Sequence, residues 1–420
     1  MHVLPRVGEL HERFADVLSV VGVHAGKYPA ERHTDRIAEA CERLGVRHPV
    51  VNDRQFRIWH DWGVHAWPTV ALVDPEGYAI GVQSGEFDVD AMAGAIEAVV
   101  DRARERGSLR LGPDPFAAAA PRAAADGGRL HFPTRAIVAG ERLWVADTGH
   151  GRVLKCAWEP EAARAEVLVA HDGIDEPRGL CEWRGAMHVA ERRGHRVLRV
   201  GSDGPEPVAG TGRLAEWRID GGDALARDLR SPWGLAATPG GLAIAMAGSH
   251  QLWLLGQDGS LRLLAGTGGE AIEDGAAAGA LLAQPTGVSA MGETLVFADS
   301  ESSAVRELDG GQVRTLVGTG LFDFGDRDGV GDEVLLQHCE DVAARGGRVA
   351  VADTYNDRIK LLDASSRECR PWPGAAGESG ALREPGGVAF SGERLLVADT
   401  GNHRIVTVEP DGSLREVVFA

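Results

Sequence analysis

Cysteine, long apolar runs and clustered positive charge are scarce in this 420-residue sequence, and each scarcity removes a class of function. Its five cysteines, Cys41, Cys156, Cys181, Cys339 and Cys369, are an odd number set far apart. That spacing fits neither a disulfide framework nor a paired zinc site, so they read as small buried hydrophobes in a reducing, cytoplasmic setting. No Cys-x-x-Cys occurs. No apolar stretch approaches the roughly 18 residues that a membrane-spanning helix needs, and the start shows no charged segment followed by an apolar core. A membrane partner is therefore not expected. Acidic residues outnumber basic ones 62 to 44, a formal net charge of −18 that repels phosphate backbones. No stripe of Lys and Arg offsets it, so nucleic acid is not an expected partner either.

What is present is repetition. From about residue 130 one pattern returns six times: a Pro-led segment, a short apolar strand, a polar turn and a second strand. The turns read WVADTGHGRVLK (144–155), HVAERRGHRVLRV (188–200), IAMAGSHQLWLL (244–255), FADSESSAVREL (297–308), VADTYNDRIKL (351–361) and VADTGNHRIV (397–406). Counting between Asp147, Glu191, Ala247, Asp299, Asp353 and Asp399 gives steps of 44, 56, 52, 54 and 46 residues, the length of a four-stranded blade. Asp-Gly pairs at 203–204, 258–259, 309–310 and 411–412 mark hairpins before a last strand such as REVVFA, with both central residues expected at positive φ.

On these copies the segment 130–420 resembles the NHL repeat, whose copies close into a six-bladed all-β propeller. The recurring Asp and the Arg five residues later (Asp147 with Arg152, Asp353 with Arg358, Asp399 with Arg404) are expected to pair as a blade-level structural device, because a scaffold feature recurs and a reactive site occurs once. Copy three has lost both, with Ala247 and Leu252 in their places; copy four keeps Asp299 but has Ala304. Three connections begin Gly-Thr-Gly and lack the Lys of a phosphate-cradling loop, so they read as ordered links between blades. One of them holds Asp323, Asp326, Asp328 and Asp332, enough oxygens for calcium but not at EF-hand spacing, and no metal is expected.

Function on such a ring should lie where the copies differ at equivalent positions near the central channel. After the Pro-led start of each inner strand those positions are Thr134, Arg178, Trp233, Thr286, Glu340 and Gly386. Arg178, Trp233 and Glu340 bring a cation, an aromatic face and a carboxylate to one funnel, a set suited to a protein, peptide or small polar ligand.

The first hundred residues have a different grammar. The run VLSVVGVHA (17–25) reads as a buried strand, and the helix after it places Ile37, Cys41 and Leu44 on one face. Asn52 or Asp53 can cap a short helix over RQFRIWHDWGV; TVALVD and YAIGV read as strands and Met92 to Ala103 as an amphipathic helix. GVHAGKYPAE, HPVVND and AWPTVALVDPEG resemble the later part of a thioredoxin-like fold. The resemblance implies a cis bond at Pro68 within Trp67-Pro68-Thr69, and the order of domains is similar to that of NHL-repeat proteins with a thioredoxin-like front.

In that family a strand and a Cys-x-Asn-Cys dithiol come directly before a segment resembling His2-Val3-Leu4-Pro5, where this sequence has Met1. A start upstream of Met1 is therefore one expectation, and a degenerate thioredoxin-like domain that caps the propeller is the other. The expected organisation is an incomplete α/β domain over 1–106, a Pro- and Ala-rich linker over 107–129 and a propeller over 130–420. Three functions follow: a binding or scaffold propeller with a redox-inactive front and no cofactor; a thiol-disulfide oxidoreductase whose dithiol lies upstream; and a propeller hydrolase or lyase, which wants a metal or converging His and carboxylates at the channel.

Overall fold

The computed structural model describes residues 2–112, 114–116, 119–120, 128–216 and 221–420. The chain divides into two compact units, Met1–Ala125 and Asp126–Ala420. Of the expected linker over 107–129, residues 113, 117–118 and 121–127 lie outside the described residues, as do 217–220 in the connection between blades two and three.

In the first unit, α1 (Val3–Arg13), α2 (Thr34–Arg43), α3 (Arg57–Asp61) and α4 (Val89–Arg106) accompany two separate two-stranded sheets. One pairs β1 (Gly22–His24) with β2 (Val50–Asn52) in parallel; the other pairs β3 (Thr69–Val73) with β4 (Ala79–Ser84) antiparallel. The strand expected over 17–25 is only three residues long. Its first half is taken up by a turn closing α1, in which Val17 and Leu18 both donate to the Phe14 carbonyl. Asp53 is the residue that caps α3, accepting the N–H groups of Arg57 and Trp59 at 2.8 and 2.9 Å. α4 starts on Asp88, whose side chain accepts the Ala91 N–H, and stops on Gly107 at φ 68°. Its buried face packs Ala93 and Ile96 against Val3, Leu10 and Phe87.

The second unit is a six-bladed propeller. Its inner strands are Pro133–Ala139, Pro177–Trp183, Pro232–Thr238, Pro285–Met291, Asp341–Arg345 and Pro385–Ser391. Each adjoins the next, and the sixth adjoins the first, so the ring is closed. The core is correspondingly six apolar clusters, one in each gap between blades. Along Arg142–Asp147, Leu143 and Val145 face blade six while Trp144 and Ala146 face blade two. With both faces covered, the strand is apolar almost throughout rather than alternating.

Blades three, four and five are five-stranded where four strands were expected. Gly222–Asp223, Gly275–Ala276 and Gly329–Val330, all within the long connections, add to their outer edges. The segment REVVFA is likewise not one strand. Leu414–Glu416 closes blade six, whereas Val418–Phe419 crosses over and pairs in parallel with the outer strand of blade one, Arg164–Asp172. The chain's last residues thus clasp the ring.

The hairpins differ in detail from expectation. Positive φ falls on Gly204, Gly259, Gly412 and the Gly310–Gly311 pair but on none of the four aspartates of the Asp-Gly pairs. The carboxylates of Asp258 and Asp411 instead accept the N–H of Ser260 and Ser413 at 3.0 and 2.9 Å, turns held by an Asx side chain.

Two sets of side-chain bonds run from blade to blade. In the first, the hydroxyl following the recurring acid donates to the carbonyl opening the next inner strand: Thr148 to Pro177, Ser300 to Cys339, Thr354 to Pro385 and Thr400 to Pro133, at 2.6 to 2.9 Å. In the second, the side chain closing the turn in five of the six blades accepts a backbone N–H of the following blade. His195, His250 and His403 do so through Nδ1, and Ser303 and Asp357 through oxygen. The recurring turn residues thus join one blade to the next.

Candidate functional site

The recurring acid and its base meet in the blades as follows. Arg152 Nε donates to Asp147 Oδ2 at 2.8 Å and Arg404 Nε to Asp399 Oδ2 at 2.7 Å; Glu191 and Arg196 make a two-pronged pair in blade two. Asp353 and Arg358 do not meet. Arg358 turns to Asp326 at 3.0 Å, and Asp353 receives only neutral donors, the Asn356 amide and the Gln337 N–H, both at 2.8 Å. Burial without a cationic hydrogen-bond partner pushes the Asp353 carboxyl up to about 7.

Blade four is the converse. The base looked for at Ala304 is supplied from two residues further on, Arg306, which reaches Asp299 at 2.9 Å while wholly buried. Blade three also needs correction. Ladder pairing sets Met246 opposite Pro232 and Gln251, as Asp147 is set opposite Pro133 and Arg152, so the equivalents are Met246 and Gln251 rather than Ala247 and Leu252. The apolar run misled by one position because both faces of the strand are buried and alternation gives no register.

The acidic connection is occupied by the protein's own cations. Lys360, itself almost fully buried, bonds Asp326 and Asp328 at 2.7 and 2.6 Å, and Arg367 bonds Asp332 at 2.6 Å. Asp326, Asp328 and Asp332 are thus each paired with a cation of the protein. Around Pro68, the Trp67–Pro68 bond is cis. Trp67 Nε1 donates to the Ala25 carbonyl, its ring lies 4.4 Å from that of Trp59, and Thr69 Oγ1 donates to Ala66. Cys41 is buried in α2 and burial raises its thiol.

A hollow open to solvent sits on the propeller axis, and Thr134, Arg178, Trp233, Glu340 and Gly386 all border it. The guanidinium of Arg178 lies over the Trp233 ring at 4.3 Å and faces Glu340 with 3.8 Å between Nη1 and Oε2. Thr286 instead turns to Ser300, which lies behind the inner strand of its own blade.

Three residues at or beside the channel are not among the candidates taken from sequence. Four inner strands carry glycine after the channel position, Gly179, Gly234, Gly287 and Gly387, where a Cβ would collide with the next inner strand. Blades one and five have Arg135 and Asp341 there instead, and these two form a close ion pair across the channel floor. Arg135 also donates to the Val388 carbonyl, and Asp341 accepts the Val388 N–H at 2.8 Å. Arg192 is the third: it stands where four other blades have the junction hydroxyl, pairs with Glu176 and places its guanidinium 5.7 Å from the Trp233 ring. All three were readable as departures from an otherwise repeated residue.

Comparison with known proteins agrees with this architecture. A model of the NHL repeat matches residues 382–407, which enter and span the first strands of blade six. The chain is 30% identical to human NHL repeat-containing protein 2, covering 100% of this chain and 66% of that protein. It is 32% identical to Protein SUPPRESSOR OF QUENCHING 1, chloroplastic, of Arabidopsis thaliana, over 96% of this chain and 42% of that one. It thus spans two thirds or less of the length of these relatives. Among solved structures, an auxiliary nutrient binding protein from Bacteroides thetaiotaomicron superposes with a TM-score of 0.51 at 11% identity, covering 69% of this chain and 70% of that one, a likeness of fold alone. With six blades closed by the same junction and these matches in sequence, the chain belongs to the NHL repeat-containing protein family.

Proposed function

We propose that this protein is a binding or scaffold module whose ligand, a protein segment, peptide or small polar molecule, is held at the channel mouth by Arg178, Trp233 and Glu340. One observation carries this reading. Three positions that a uniform ring would fill alike hold a cation, an indole and a carboxylate, and the three converge on a single cavity. Arg192 belongs to the same set. Convergent polar groups around a partly apolar hollow are what a recognition site needs.

The front unit is read as a thioredoxin-like layer without working thiol chemistry, residues 107–129 as its linker and 130–420 as the propeller. A parallel pair, an antiparallel pair and a cis-proline loop support the first assignment. The chemistry of the cysteines supports the absence of redox work: burial raises Cys41, and it pushes Cys156 and Cys181 to about 11 and Cys369 to about 12, so no thiolate forms near neutrality.

The test is a panel of peptides and polar metabolites titrated into the purified chain. Trp233→Ala should weaken a genuine ligand by about 2 kcal/mol, roughly thirty-fold, as loss of a buried aromatic anchor does. Ligands that bind equally well to Trp233→Ala and Glu340→Gln would place recognition elsewhere on the molecule.

A further inference from the structure

The seams between blades are not all held alike. Four have the hydroxyl bond from a turn to the next inner strand, given by Thr148, Ser300, Thr354 and Thr400. The seams on either side of blade three lack that donor, because Arg192 and Ala247 stand in its place. The turn's hydrogen bond across each is instead accepted by an imidazole. His195 Nδ1 accepts the Ser231 N–H at 3.2 Å between blades two and three, and His250 Nδ1 accepts the Gln284 N–H at 3.1 Å between blades three and four. Elsewhere the acceptor is an oxygen, as with Ser303 and Asp357, or the histidine shares its seam with a hydroxyl, as His403 does with Thr400. Among the described residues, blade three is thus the one blade joined on both sides by a histidine with no hydroxyl beside it.

A ring nitrogen accepts an N–H only through its lone pair, so both histidines bond in the neutral form. A proton taken up at Nδ1 occupies that lone pair and sets two N–H groups against each other. The backbone holds the partners in place: Ser231 and Gln284 sit at φ 53° and 59°, facing histidines at 51° and 54°. Ser231 and His250 are also buried, and a buried N–H that loses its acceptor weakens the seam. Beside His195 stand Arg193 and the Glu191–Arg196 pair of its own blade, and the connection that follows contributes Arg230 and the Asp228–Arg213 pair. Beside His250 stand Arg230, whose Nε donates to the Gly248 carbonyl, and on the blade-four side Glu270, Glu301 and the buried Asp299–Arg306 pair. These charges tune the pH at which each ring takes its proton.

We propose that His195 and His250 are acid-sensitive latches on blade three, closed while both rings are neutral and opened as pH falls through the imidazole range, about 6.5 and below. The stability the two bonds contribute is present above that range and lost beneath it. Trp233 belongs to blade three and stacks on Arg178 of blade two, so opening the first latch also loosens the channel mouth.

Hydrogen exchange of the whole chain at pH 7.5 and pH 5, expressed as protection factors so that the chemical rate divides out, tests this. The Ser231 and Gln284 amides should lose about ten-fold or more in protection on acidification. The equivalent His338 and Glu384 amides, which donate to Ser303 and Asp357, should change by less than about two-fold, because a hydroxyl or a carboxyl accepts in either condition. Unchanged protection at Ser231 and Gln284, or an equal fall at all four amides, overturns the proposal. The double variant His195→Asn, His250→Asn supplies an acceptor that does not titrate on a residue that tolerates the left-handed backbone, and it should keep its protection at pH 5. A folded double variant that loses protection in acid as the unmutated chain does overturns the proposal as well; the comparison among the four amides of the unmutated chain decides the matter where the variant does not fold.

Discussion

Restoring the missing glycines of blades one and five tests how the channel floor is held. Asp341 is buried and the Arg135 side chain is only 13% exposed, and among the described residues each is the other's only ion-pair partner. Arg135→Gly leaves Asp341 with one N–H donor, from Val388. An orphaned buried charge costs about 3–5 kcal/mol. A carboxyl can escape by taking up a proton, which at neutral pH caps that cost at about 4 kcal/mol. Adding about 0.5–1 kcal/mol for glycine in a strand brings this single variant to roughly 5 kcal/mol. Asp341→Gly strands a guanidinium that burial already pulls down to about 10, and it also frees the Val388 N–H, so a loss of roughly equal size is expected. The double variant removes both charges and should lose only about 2 kcal/mol, since deleting a whole buried pair is often near neutral and the remainder is glycine entropy. Urea unfolding of the four proteins gives the coupling directly. There is an internal control: Arg135→Gly should be less damaging at pH 5 than at pH 8, because an orphaned Asp341 has its folded-state pKa raised and so loses stability as pH rises. Additive losses, or losses in Arg135→Gly that do not vary with pH, would refute the account of the pair as a mutually dependent plug.

Asp353, pushed up to about 7 in the fold against an ordinary 3.8, contributes stability that is present at low pH and is lost as pH rises through that window. The contribution should fall by about 3 kcal/mol between pH 5 and pH 8, and Asp353→Asn should flatten the pH dependence of unfolding by that amount; any constant cost of the amide cancels in the comparison of slopes. Thr400→Val removes the hydroxyl that joins blade six to the Pro133 carbonyl and should cost about 1–3 kcal/mol in chemical denaturation. Phe419→Ala empties the clasp on blade one and should cost up to about 3–5 kcal/mol, with the early loss of amide protection confined to Arg164–Asp172 and Leu414–Glu416.

Much of this was written in the chain order. Six returns of one turn at blade-length spacing, four of them with an acid and, five residues on, a base, determined the blade count, and the Pro-led starts located every inner strand but one, where Cys339 replaces proline. The residues that differ at the channel position were also legible as a set, because a repeat supplies its own reference against which Arg178, Trp233 and Glu340 stand out. The register of copy three was not, since its strand Gly241–Met246 is apolar on both faces and carries no alternation to fix it.

Only the closed ring decided which charges meet. Arg135 and Asp341 are 206 residues apart and become neighbours because blades one and five border the same narrow axis. Arg358 abandons Asp353 for Asp326 because a connection, not the blade itself, brings the stronger field to it. The end of the chain belongs to blade one because an open outer edge there accepts it. Local pattern specifies strands and turns through period and backbone preference; ion pairs and clasps depend on distances across the ring, which no stretch of sequence contains.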